Sequence, residues 1–244
     1  MKSLTNLVRV ETRLLLREPA IIAFALLVPL GLILVFGLGS PPSPGAVGQH
    51  DQPTFLPALS LMIAVGMLGF MALPGALGSY REKGILRRLS TTPVHPGKLL
   101  AAQLIVQLMT ALLAVAVLIL AGYFAMDLPL PRNVPGFTLA VVLGLASLFA
   151  IGTVIAALSP NARVAGSVGP LLFFPMLFLA GAWLPRDQMP DWLATIGTYS
   201  PLGVLIDTVG TAWAGANPDP AQLAVMVALA AVFGFLATRL FRWE

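Results

Sequence analysis

SYREKGILRRLSTTPVHPGKLL, residues Ser79–Leu100, gathers Arg81, Glu82, Lys83, Arg87, Arg88 and Lys98 into one polar island. The sequence before it, Phe55 to Ser79, holds no Asp, Glu, Lys or Arg, and the sequence after it, Leu99 to Met126, holds none either. At ~1.5 Å per helical residue, each of these stretches is long enough to cross ~30 Å of hydrocarbon. The island is therefore a polar handle between two membrane helices, the place where a water-soluble partner can take hold of the membrane part and move it.

Working outward, composition agrees. A soluble domain carries about a quarter of its residues as charges, whereas only 10% of these 244 residues are charged and 58% are hydrophobic. The net charge of +4 sits beside apolar spans, where lipid headgroups and topology account for it, so no nucleic-acid partner is expected. Cysteine is absent, which removes disulfides and thiol metal sites and leaves the redox compartment unreadable.

The expected fold is all-α, a single transmembrane domain over residues 1–244. Residues 1–18 form an interfacial helix, with Leu4, Leu7, Val8, Leu14 and Leu15 on one face and Arg9, Arg13 and Arg17 on another. An overhang whose charges only set topology is the alternative. Six spans follow, at about 20–39, 55–79, 99–126, 136–158, 164–184 and 221–238. Glu18-Pro19 opens the first, since proline is tolerated in a first helical turn, and its uncharged length reads as a retained helix rather than a removed signal peptide. Residues 40–53, rich in Pro and Gly, read as an external loop.

Within the spans, Pro29, Pro57 and Pro74 are expected bends, and Gly66 and Gly69 permit close helix contact. Gln103, Gln107 and Thr110 recur at i, i+4 and i+7, so they share a face that must meet protein or a wet cavity rather than lipid. Interhelical hydrogen bonding and a substrate path both satisfy that requirement. Residues 185–220 read as amphipathic rather than spanning: two short helices dipping into the outer leaflet, with Trp183, Trp192, Tyr199 and Trp213 as interfacial anchors and Asp187, Asp191 and Asp219 in water. Asp207, in the run PLGVLIDTVG, is the one acid set in apolar sequence; alone, it reads as a helix-end or outer-leaflet residue.

Orientation comes from the basic residues. Of the 14 Lys and Arg, only Arg132 and Arg186 fall on one side of the proposed spans. The richer side is cytoplasmic, which places both termini and residues 80–98 inside and the 40–53 and 185–220 segments outside.

What is missing narrows the chemistry. No charge lies in the middle of any of the six spans, and Asp207 is the one acid within an apolar run outside them, although ion-coupled transporters and intramembrane hydrolases rely on such residues. His50 and His95 have no metallopeptidase spacing, and Gly97-Lys98 lacks the upstream glycine of a phosphate-binding loop. ATP, if it drives this protein, binds another chain.

The arrangement resembles the permease subunit of bacterial type-2 ABC exporters, the drug and polysaccharide export family that includes daunorubicin-resistance-like permeases. Three stretches carry the resemblance: LLLREPAIIAFALLVPL (Leu14–Leu30), REKGILRRLSTTPVHPGKLLAAQL (Arg81–Leu104) and FLAGAWLPRDQMPDWLATIGTYSPLGVLID (Phe178–Asp207). In that family an acid-basic-Gly stretch, a Leu/Arg helix and a Thr-Pro form the cytoplasmic coupling region. Glu82, Lys83, Gly84, Arg87, Arg88, Leu89, Thr92 and Pro93 match it, with Arg81 and Leu86 beside them. Gly181, Pro185, Pro190, Trp192 and Pro201 match the family's external re-entrant helices, with Asp207 where relatives often carry an acid.

The resemblance implies a multi-pass permease of the bacterial cell membrane, used in export or multidrug efflux. It further implies two nucleotide-binding ATPase subunits holding ATP and Mg, with no cofactor in this chain, and a second copy of the chain or a related permease. Glu82 would pair with a basic residue of the ATPase, the arginines with acids, and Ile85, Leu86 and Leu89 with an apolar groove. The apolar character of the spans suits a lipophilic or amphiphilic cargo. An ATPase-independent channel or scaffold and an ion-coupled exporter are the alternatives, and both leave the coupling motif unexplained.

Overall fold

The computed structural model describes residues 2–17, 27, 30, 31, 52–84 and 97–240, and all its described regular structure is helical. Helix α1 spans Lys2–Arg17. Helix α2, Gln52–Met67, passes through a wide π turn at Leu68–Ala72 into α3, Leu73–Glu82. Then come α4 (Gly97–Met126), α5 (Val134–Leu158), α6 (Ala162–Leu179), a 3-10 turn (Arg186–Gln188), α7 (Asp191–Tyr199), α8 (Pro201–Ala214) and α9 (Pro220–Leu240).

Five helical stretches among the described residues are long and apolar enough to cross a membrane: Thr54–Glu82, Gly97–Phe124, Val134–Leu158, Ala162–Leu179 and Pro220–Leu240. They correspond to five of the six expected spans. The first, at 20–39, lies outside the described residues except for Leu27, Leu30 and Gly31, which are helical.

Local chemistry sets the ends. The Asn133 side chain accepts from the Gly136 N–H (3.0 Å) to cap α5, and Asn161 accepts from Val164 (2.8 Å) to cap α6. The fifth expected span is shorter than its apolar sequence, because α6 stops at Leu179 and Gly181 follows with φ +88°. A left-handed glycine just past a helix end costs no Cβ clash and stops propagation. Trp183 therefore stands outside the helix that was expected to contain it.

The π turn has a sequence cause. Pro74 has no N–H for the Phe70 carbonyl, so the α pattern cannot continue through it; the Leu73 N–H reaches back instead to the Leu68 carbonyl. The displaced carbonyls of Gly69 and Phe70 lie against Gly152 of α5 and Gly169 of α6, where any Cβ would collide with them. Three helices thus close on one bent point in the middle of the α2–α3 span.

Helix α8 forms the centre. Leu202, Val204, Leu205, Thr208, Val209 and Ala212 are fully enclosed, chiefly by α2 and α5. This corrects the amphipathic reading of the second half of residues 185–220: α8 is apolar and buried on nearly every side. Trp213 is corrected with it. Rather than anchoring at an interface, it is buried, donates its indole N–H to the Pro129 carbonyl (2.7 Å) and meets Phe137 edge-on at 5.4 Å. Trp183, Trp192 and Tyr199 are exposed, as are Asp187, Asp191 and Asp219. The 185–220 segment does form two short helices, α7 and α8.

Candidate functional site: two arginine-centred clusters

At the island end, the last turn of α3 divides its side chains among three destinations. The Tyr80 hydroxyl donates to the Glu11 carboxylate and ties α1 to the bundle. Arg81 turns inward: its Nη1 donates to the carbonyls of Ala156 (2.8 Å), Ala157 (3.1 Å) and Ser159 (2.6 Å). Those acceptors are at the C-terminal end of α5, where carbonyls lack intrahelical donors and the helix dipole is negative. Glu82 and Lys83 are exposed. Gly84, at φ +63°, releases the chain from the helix.

Of the expected coupling residues, then, Glu82 and Lys83 are presented outward and Arg81 is held by α5. Leu86, Arg87, Arg88 and Leu89 lie outside the described residues.

Glu11 escaped the sequence reading, although a signal exists. Leu7, Glu11 and Leu14 are spaced at i, i+4 and i+7, which puts the acid inside the apolar stripe of α1. It is only 5% exposed. Burial pushes its carboxyl above the usual carboxylate range, and the Tyr80 hydrogen bond draws it part of the way back.

Along α4, Gln103, Gln107 and Thr110 are all buried, as their shared face requires, while Met109, Leu112 and Leu113 are exposed on the other side. Thr110 donates to its own helix at the Val106 carbonyl (2.9 Å). The Gln103 and Gln107 Oε1 atoms are buried without a hydrogen-bond partner among the described residues. The face meets the protein interior, and among the described residues those two oxygens make no interhelical hydrogen bond.

The second arginine cluster lies beyond α6. Arg186 Nη1 donates to the Asp207 carboxylate at 2.6 Å, and its Nη2 donates to the Ala180 carbonyl at 3.0 Å. Gln222, in the first turn of α9, donates to the same Asp207 oxygen at 3.1 Å. The two charged side chains retain 19% and 13% exposure. Asp207 is thus neither a helix-end residue nor alone. It stands mid-helix in α8 with its charge compensated, because an unpaired carboxylate among Leu205, Ile206 and Thr208 would carry a large desolvation penalty. The pairing was half legible: only Arg132 and Arg186 were basic residues on that side. Choosing between them needed the fold.

No group of three or more His, Asp or Glu suited to a metal occurs among the described residues. What the arrangement offers is mechanical: an exposed acid-base pair on a helix rooted in the bundle core, with Tyr80 and Arg81 linking that helix to α1 and α5.

Two comparisons bear on this arrangement. Over residues 3–212 the chain matches the sequence model of the family described as ABC-2 type transporter. It is also 28% identical over 122 residues to a Bacillus subtilis (strain 168) protein named "Putative transport permease YvfS", an alignment covering 50% of this chain and 49% of that protein. The chain thus matches about half the length of that curated relative. The apolar helical bundle and a family match over most of the sequence lead to one conclusion: the chain belongs to the ABC-2 type transporter family, as a multi-pass transmembrane permease.

Proposed function

We propose that this chain is the membrane half of an ATP-driven exporter, moving a lipophilic or amphiphilic substrate out of the cytoplasm or inner leaflet. ATP and Mg bind a separate nucleotide-binding subunit, present in two copies, and the permease works with a second copy of itself or a related permease. Both termini and the polar island face the cytoplasm. Helices α7 and α8 enter from the outer side and return to it; Leu202, at the start of α8, lies against Gly66, near the middle of the α2–α3 span, which supports that path.

One observation carries the reading. The exposed Glu82-Lys83 pair ends the most enclosed of the described spans, whose most apolar stretch is 78% buried, against 11% for α9. A push on the coupling segment therefore enters the molecule at its core. From Tyr80 it passes to α1, from Arg81 to α5, and through the π turn to α6, a set of packed elements able to reorient as rigid pieces. The pairing of Asp207 with Arg186 and Gln222 supports this reading over the ion-driven alternative, whose one candidate carrier in the sequence was Asp207.

The test is Glu82→Lys in the complex with its ATPase, which reverses a partner-facing charge without touching the core. ATP-dependent export should fall to background while expression and membrane insertion stay at the parent level. Export at the parent rate would overturn the coupling assignment. In reconstituted vesicles, transport should survive collapse of proton and sodium gradients and stop with a non-hydrolysable ATP analogue.

A further inference from the structure

Four segments that are distant in sequence or separated by turns meet at one arginine–carboxylate pair. Arg186 comes from the 3-10 turn, Ala180 from the end of α6, Asp207 from the middle of α8 and Gln222 from the first turn of α9. Arg186 Nη2 also points to the Gly203 carbonyl at 3.5 Å, on the first turn of α8. One guanidinium therefore ties the 3-10 turn that leads into α7 to the first two turns of α8 and to the end of α6, in addition to the turn at Ser200 between the two helices.

The arms differ in burial. Helix α8 is enclosed along its length, whereas α7 leaves Asp191, Trp192, Thr195, Ile196 and Tyr199 exposed. Apolar contact alone would hold α8 in place, but such contact is non-directional and tolerates sliding. An arginine-carboxylate pair tolerates it far less, since its geometry defines one register.

Two features separate this pair from a sealed structural bridge. Both side chains remain partly exposed, so the pair is not sealed inside the bundle. In addition, the Arg186 Nε is buried with no hydrogen-bond partner among the described residues, so their contacts do not satisfy the guanidinium fully.

We propose that Arg186 and Asp207 are a positioning pair that keeps α8 seated between α2 and α5, closing that end of the bundle, with Gln222 making the seat depend on α9. The pair acts as a latch: when it parts, α8 can loosen from its groove without unfolding of the remaining helices. The link to export rests on the function proposed above; the latch itself does not.

The chain contains no cysteine, so an introduced thiol reports one position. Val209→Cys places it on α8 at a site 0% exposed, and Val106→Cys provides a control on α4 at a site 3% exposed. In nanodiscs, with a membrane-impermeant thiol reagent reaching both faces, Arg186→Gln and Asp207→Asn should each raise the labelling rate at position 209 by about tenfold or more, as expected for local opening. Arg186→Lys, which retains the charge but not the fork geometry, should raise it less than Arg186→Gln does. Labelling at position 106 should not change.

A thiol at position 209 that remains protected in both neutralised variants would overturn the latch. So would parallel labelling of positions 209 and 106, which is the signature of general loosening. If the neutralised variants do not elute as a single species, Gln222→Leu replaces them. It removes one hydrogen bond to Asp207 and leaves both charges, and it should raise labelling at position 209 by about threefold; no rise overturns the proposal. Because the assay uses no ATPase, ATP or cargo, its failure is distinguishable from failure of the coupling assignment, which Glu82→Lys tests separately.

Discussion

The two ends of the bundle each hold an arginine, and they use it differently. Arg81 donates to three backbone carbonyls at the end of α5, a site carrying only the partial charge of a helix terminus, and the adjacent Glu82 and Lys83 remain exposed. Arg186 meets a full carboxylate, which also takes a hydrogen bond from Gln222. The first arrangement anchors a helix while leaving ionic groups available to another protein. The second is internally compensated and offers little net charge to a partner. Coupling to an ATPase suits the first end, and holding α8 suits the second.

The largest change in stability is expected from unbalancing the second cluster. Asp207→Ala leaves Arg186 without its acid; breaking a buried pair costs about 3–5 kcal/mol, less here for partial exposure, so thermal inactivation should move down by roughly 5–12 °C. Replacing both residues, as Arg186→Met with Asp207→Leu, should recover most of the loss. A single variant as stable as the parent would remove the contrast between the two ends.

Next in size is Arg81→Ala, which strips the end of α5 of a charged donor. A loss of about 1.5–3 kcal/mol corresponds to roughly 3–10 °C by the same measurement. Arg81→Lys should recover only part, since an ammonium lacks the fork geometry of the guanidinium. Full recovery would mean that charge alone, and not the multiple donors, serves α5.

Smaller again is a pH effect at Glu11. Its carboxyl lies above the usual range in the folded protein, so the folded state holds a proton more readily than the unfolded one. Docking of α1 should therefore be strongest below the unfolded-state pKa and weaken as pH rises through the raised folded-state value. The exposure of a cysteine at Leu7 to thiol reagent, followed from pH 4 to pH 8, checks this after correction for thiol ionisation. Glu11→Gln should flatten the profile, and an unchanged profile would break the assignment. Glu82→Ala, in the isolated permease, should shift inactivation by less than about 2 °C, as for other exposed substitutions; a larger shift would mean that its role is internal.

Legibility followed the range of the interactions involved. Gly84, Asn133 and Asn161 act within a few residues of their own position, so helix ends near them can be read along the chain. The Gln103, Gln107 and Thr110 face could be placed inward because a polar stripe on a membrane helix has few alternatives. Arg81 misled more subtly: a basic residue next to Glu82 and Lys83 has the same local sequence whether it faces water or the carbonyls of a helix some 75 residues away. Trp213 misled for a related reason. An indole at the end of an apolar run suits a membrane interface equally well as a core whose Pro129 carbonyl is waiting for a donor.

The sequence by itself determined the class of molecule. Uncharged runs of membrane length, a basic bias on one side of them and the absence of catalytic or nucleotide-binding patterns are one-dimensional properties, because bilayer thickness and the cost of burying charge act on each segment separately. The tertiary structure alone decided which residues the segments contribute to one another: that Pro74 bends a span against Gly152 and Gly169, that Tyr80 reaches Glu11, that α8 is core, and that Asp207 takes Arg186 rather than Arg132 as its partner. Those choices depend on which surfaces meet, and within a bilayer many pairings of apolar helices are nearly equal in energy, so close packing at glycines and a few directional polar contacts select among them.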